Sequence, residues 1–104
     1  MTIEELRNKI DYIDEQLLEL FNCRAALALK IGEVKKCSGL PVYDPGREQQ
    51  IFLRMKERNC GPLDNLAIVR LFERVIDESR SLERLMTSKE SAPQPALPKE
   101  DDQC

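Results

Sequence analysis

The sequence predicts an all-α protein of three helices per chain, the first of them very long. Three observations carry this expectation. Leu6, Ile10, Ile13, Leu17, Leu20, Leu27, Ile31 and Val34 follow one another in steps of four and three, with one rung left out. That is the heptad spacing of a helix with a continuous apolar seam. Gly and Pro gather at 39–46 and 61–62, where the periodicity breaks. The composition is 34% charged and 41% hydrophobic with no Trp, which suits a helical bundle better than a sandwich or a barrel.

Helix one opens at Thr2 as N-cap, with Glu5 three residues on as in a capping box. Glu4 and Glu5 suit the positive end of its dipole. Lys35 and Lys36 suit the other end, and Gly39 supplies the stop. A helix of thirty residues is about 45 Å long, too long for a compact monomer of 104 residues. An oligomer that covers the seam is therefore expected. Pro41 holds the following connector extended, and Asp44-Pro45 reads as N-cap and first turn of helix two, over 45–58. Ile51, Phe52 and Met55 are its apolar contacts. Asn59-Cys60-Gly61-Pro62 ends it and Asp64 caps helix three. Leu66, Val69, Phe72, Val75 or Ile76, Leu82 and Met86 then recur at helical spacing. The folded domain spans 1–86. From 87 to 104, Pro93, Pro95 and Pro98 interrupt a polar run, predicted to be a disordered tail.

The formal net charge is −3, so a general nucleic-acid surface is not expected. No apolar run is long enough for a membrane span, and the N-terminus lacks a secretory pattern. Cys23, Cys37, Cys60 and Cys104 form no paired motif, and the chain has no His. A metal site and a His-activated nucleophile are not expected, and the thiols read as free in a reducing cytoplasm.

One position on the seam is a cation, Arg24. A guanidinium on an apolar stripe must find anions, because an unpaired buried charge is costly. Lys35 lies eleven residues on, which returns it to within about 20° of Arg24 and about 16 Å along the axis. Arg7 lies seventeen residues before Arg24, about 25 Å away and about 100° round. It cannot share a site with Arg24 in its own chain, but can reach a partner's site if the first helices run antiparallel. Arg47 and Glu48 open helix two, and Ser79 and Glu83 stand one turn apart on helix three. Each residue has a bland reading as a surface charge or an ordinary ion pair. Only the set of cations, acids and one hydroxyl on three helices suggests a binding site for an anionic ligand.

The pattern resembles the all-helical (AroQ class, type II) chorismate mutases. The matching stretches include Leu6-Arg7-Asn8-Lys9-Ile10-Asp11, Asn22-Cys23-Arg24-Ala25, Ile31-Gly32-Glu33-Val34-Lys35-Lys36, Val42-Tyr43-Asp44-Pro45-Gly46-Arg47-Glu48 and Ile76-Asp77-Glu78-Ser79-Arg80. The resemblance implies an intertwined homodimer of three-helix subunits with two equivalent sites and no cofactor. It implies conversion of chorismate to prephenate, a Claisen rearrangement on the route to phenylalanine and tyrosine. By carry-over, Arg24 and the partner's copy of Arg7 bind carboxylates, and Lys35 touches a carboxylate and the ether oxygen. Arg47 supports a carboxylate, Glu48 and the Asp44 backbone hold the ring hydroxyl, and Ser79 bonds to a carboxylate. Position 83 donates to the ether oxygen. Many relatives have Gln there, whereas a Glu83 carboxyl donates only when protonated. Isochorismate pyruvate lyase and aminodeoxychorismate mutase fit the same cations. The remaining alternatives are a non-catalytic dimerisation module and the mutase part of a larger bifunctional protein.

Overall fold

The computed structural model describes residues 1–41 and 43–88, with the backbone alone for 87 and 88. It contains three helices: α1 (Ile3–Ser38), α2 (Pro45–Arg58) and α3 (Asn65–Ser88). Among the described residues there is no strand. Helix α3 runs two residues past the expected end of the domain, and the rest of the expected tail lies outside the described residues.

The helix ends form for local reasons. The Thr2 amide donates to Glu5 Oε1 at 2.8 Å, and the Glu5 amide donates to Thr2 Oγ1 at 3.1 Å. Two of the orphan donors at this end are thereby met. At the other end of α1, Gly39 takes a φ of 73°. Only a residue without a Cβ adopts this left-handed turn at no steric cost. It lets the Leu40 amide reach back to the Lys35 carbonyl at 2.8 Å. In α2 the Arg47 amide donates to Asp44 Oδ1 at 3.1 Å, behind Pro45 in the first turn. The Asn59 side chain organises the α2–α3 turn. It donates to the Leu63 carbonyl at 2.9 Å and to Asn65 Oδ1 at 2.8 Å, and accepts from the Gly61 amide at 3.0 Å. Asp64 then caps α3 through the Ala67 amide at 2.8 Å.

Helix α3 packs against both α1 and α2. The best-buried apolar residues are Ile51 of α2 and Ile76 of α3, at 5% and 9% exposure. Truncating Ile51 to Ala should cost about 2–4 kcal/mol. The check is a lower urea midpoint at fixed protein concentration. Between Val75 and Ile76, left open by the periodicity, Ile76 is the buried one.

No residue of α1 is buried in the single chain. Leu6, Ile10, Ile13 and Leu17 remain 42–55% exposed, with Leu20, Leu27, Ile31 and Val34 also open. A contiguous apolar seam of this length marks an interaction surface. Leu66, expected among the contacts of α3, is also exposed. Among the described residues no helix is long and apolar enough to cross a membrane. Cys37 and Cys60 are free and exposed.

Candidate active site

A cavity of about 300 Å³ opens between α1 and the first turns of α2, with α3 as its floor. Arg24, Lys35, Asp44, Arg47, Glu48, Ser79 and Glu83 all line it. Seven of the eight residues singled out from the sequence thus meet in one place, although they come from three helices. The eighth, Arg7, is exposed near the start of α1 and is not part of this chain's cavity wall.

Each position follows from the local fold. Arg24 takes the seam position that faces α3, and its Nη1 donates to Ser79 Oγ at 3.4 Å. Ser79 is itself buried, at 9% exposure. Lys35 returns to the same face three turns later. Asp44 caps α2 with its own carboxylate, so Arg47 and Glu48 are presented from the first turn, where the helix dipole is positive. Glu83 is one turn beyond Ser79 on α3. Its side chain lies against the backbone of Gly32. A Cβ added there would stand 3.5 Å from Glu83 Cδ and Oε2. In the sequence Gly32 reads only as a weak point in a helix. Its effect here is that a bare stretch of α1 closes over the Glu83 carboxyl.

The electrostatics favour an anion. Burial disfavours the charged form of Arg24, and the facing Arg47 guanidinium adds to the effect. Since an arginine does not release its proton in practice, this strain is relieved when an anion arrives. Burial also raises the Glu83 carboxyl above its ordinary value, while Lys35 and then Arg80 pull it down and offset only part of the rise. The wall holds four cations, Arg24, Lys35, Arg47 and Arg80, and three carboxyls, Asp44, Glu48 and Glu83. Protonation of Glu83 therefore leaves the cavity with a surplus of two positive charges. Leu27, Ala28, Ile31, Ile51 and Ile76 supply the apolar remainder.

Arg80 belongs to this wall although nothing in the sequence singled it out. It lines the cavity, pairs through Nη2 with Glu48 Oε2, and lies 5.0 Å from the centre of the Tyr43 ring. The helical spacing is compatible with that place. Positions 76, 79, 80 and 83 form one face of a helix.

The fold and this cavity define a helical protein with a cation-rich pocket suited to a small, multiply charged anion. The residues 6–84 match the family model of chorismate mutase type II, and the chain belongs to that family. It is 43% identical over 86 residues to a bifunctional chorismate mutase/prephenate dehydratase of Aquifex aeolicus. That alignment covers 79% of this chain and 24% of the relative. A second bifunctional relative, from Neisseria gonorrhoeae, is 41% identical over 89% of this chain and 26% of its own length. The chain thus spans about a quarter of these bifunctional relatives. A chorismate mutase of Methanocaldococcus jannaschii is 35% identical over 79% of this chain and 84% of its own length. Among solved structures, chorismate mutase (form II) of Thermus thermophilus superposes with a TM-score of 0.78 at 33% identity. The superposition covers 79% of this chain and 93% of that one.

Proposed function

We propose that this chain catalyses the rearrangement of chorismate to prephenate. The observation that carries the reading is the convergence of Arg24, Lys35 and Arg47 on a single cavity that also presents Glu48, Ser79 and Glu83. Chorismate carries two carboxylates, a ring hydroxyl and an enol-ether oxygen. The cavity offers cations for the first, an acid for the second and donors for the third.

The reaction is pericyclic and has no covalent enzyme step. The protein can accelerate it in two ways. It can hold the compact, chair-like conformer that is rare in solution. It can also place positive charge where the breaking C–O bond gains negative charge. Arg24 and Ser79, already hydrogen-bonded to each other, bind a carboxylate, with Arg47 supporting it through the field. Lys35 meets a carboxylate and the ether oxygen. Glu48 and the Asp44 backbone take the ring hydroxyl. Glu83, as a neutral acid, donates to the ether oxygen.

The working unit is a homodimer in which the exposed α1 seam is covered and Arg7 completes the partner's site. The seam's exposure in the single chain supports this reading, and so does Arg7's distance from its own site. The enzyme is read as cytoplasmic. The deciding experiment is loss of chorismate absorbance with purified protein, followed by acid conversion of the product to phenylpyruvate. Isochorismate as substrate tests the lyase alternative, and aminodeoxychorismate as substrate tests the other mutase. No turnover of chorismate overturns the proposal.

The role of Glu83 carries its own prediction. Its raised proton affinity keeps the donor form present above the ordinary carboxyl range and loses it as pH climbs through the shifted value. Wild-type kcat/KM should therefore fall as pH rises. Glu83→Gln, a permanent donor, should flatten that limb. A flat wild-type profile, with Glu83→Gln no better at high pH, rules out the protonated-donor role.

A further inference from the structure

We infer that Arg80 is a positioning residue that ties the first turn of α2, and with it Glu48, Arg47 and Asp44, to the Ser79–Glu83 face of α3. The inference rests on the mutase reading for its kinetic consequence, but the tie itself is a feature of the fold.

The geometry is specific. Arg80 and Glu48 come from different helices, and their side chains are only 24% and 22% exposed. A guanidinium–carboxylate pair removed this far from water is oriented and charge-assisted, unlike a solvated surface pair. Arg80 Nη1 is also 3.6 Å from Asp77 Oδ1 on the preceding turn, which anchors the guanidinium on α3. The Tyr43 ring lies 5.0 Å from the Arg80 guanidinium carbon, within cation–π range. Tyr43 immediately precedes the Asp44 cap. Arg80 therefore holds α2 at two places, the connector before its N-cap and the fourth residue of its first turn.

What depends on this tie is substantial. Three of the cavity-lining polar residues, Asp44, Arg47 and Glu48, ride on this first turn. The apolar link between α2 and α3 is centred on Ile51 and Ile76. Ile51 lies one turn beyond the turn that Arg80 grips. Without Arg80 the turn can shift by fractions of an ångström while the apolar link survives, and a shift of that size is enough to slow an oriented reaction. Glu48 would also lose the cation that orients its carboxylate for the ring hydroxyl. Arg80 further acts on Glu83, which shares the cavity with Lys35 and Arg24 from α1, the Asp44 cap with Arg47 and Glu48 of α2, and Arg80 on its own helix.

The test is a double-mutant cycle of Arg80→Met and Glu48→Gln on the full chain, read by urea denaturation and by chorismate turnover. In denaturation the two losses should be non-additive, because either change breaks the same pair. Additive losses overturn the tie, and this readout holds even if the protein turns over no chorismate, in which case only the mutase reading falls. In kinetics Arg80→Met should lower kcat/KM about ten- to a hundredfold. In a Glu48→Gln background it should add little. Arg80→Lys, which keeps the charge without the planar fork, should recover part of the loss. The pH profile supplies a readout that a merely structural residue would not move. Removing a cation that lowers the Glu83 proton affinity should shift the falling limb to higher pH. Wild-type kcat/KM in Arg80→Met, or an unmoved limb, overturns the inference. If Arg80→Met does not fold, Arg80→Gln runs the same cycle with the same expected signs.

Discussion

Arg24→Leu should remove nearly all turnover while leaving the helices folded. The reason lies in what Arg24 faces. Its guanidinium is half-buried on an otherwise apolar seam, bonded to Ser79 and opposed by Arg47. In the free protein this is an unfavourable arrangement, relieved by an anionic ligand. Truncating one member of a desolvated charge pair costs about 2–5 kcal/mol, which corresponds to a loss in kcat/KM of about thirty- to several-thousandfold. Folding responds in the opposite sense. Leu restores the missing rung of the heptad and removes a partly desolvated cation, a change that is often neutral or stabilising. Urea midpoints at fixed protein concentration should therefore be unchanged or raised. A dimerisation module without catalysis would gain the stability and lose nothing, so the two measurements together separate an enzyme from a scaffold. Wild-type turnover in Arg24→Leu would remove Arg24 from the site.

Arg7→Ala and Arg24→Ala should each be nearly inactive alone and should rescue one another when mixed. The proposal places Arg24 in its own chain's site and Arg7 in the partner's. In a mixed dimer both lesions fall in one site and the other is intact. A statistical mixture of equal amounts should recover about a quarter of wild-type activity in a two-fold symmetric dimer. Subunit exchange is checked separately, for instance with a tagged copy. Exchange without recovery would exclude the shared site, whatever the role of Arg24.

The helices were legible because their signals are local. The seam, the Thr2–Glu5 box, the Gly39 stop, Asp44-Pro45 and Asp64 each act within a few residues, and neighbours in sequence suffice to set them. Much of the site was legible for a related reason. Arg24 violates the seam it sits on, and Lys35 shares its face by helical period alone. The roles of Asp44, Arg47, Glu48, Ser79 and Glu83, in contrast, came from resemblance, since nothing local distinguishes them from surface charges. Arg80 stayed hidden because its partners, Glu48 and Tyr43, are 32 and 37 positions away.

Three helices, their ends, and one cation where an apolar residue belongs are all written in the local order of residues. These follow from hydrogen bonding and periodicity over a turn or two. Which polar residues share a cavity is set by the packing of the three helices. Helix α3 carries α1 on one side and α2 on the other, so it fixes the opening between them and sets Arg24 against Ser79, Glu48 against Arg80, and Glu83 against Gly32. Those pairings join segments between 32 and 55 residues apart. Burial and facing charge alter the proton affinity of Glu83 and the electrostatics of Arg24 only once the helices have packed.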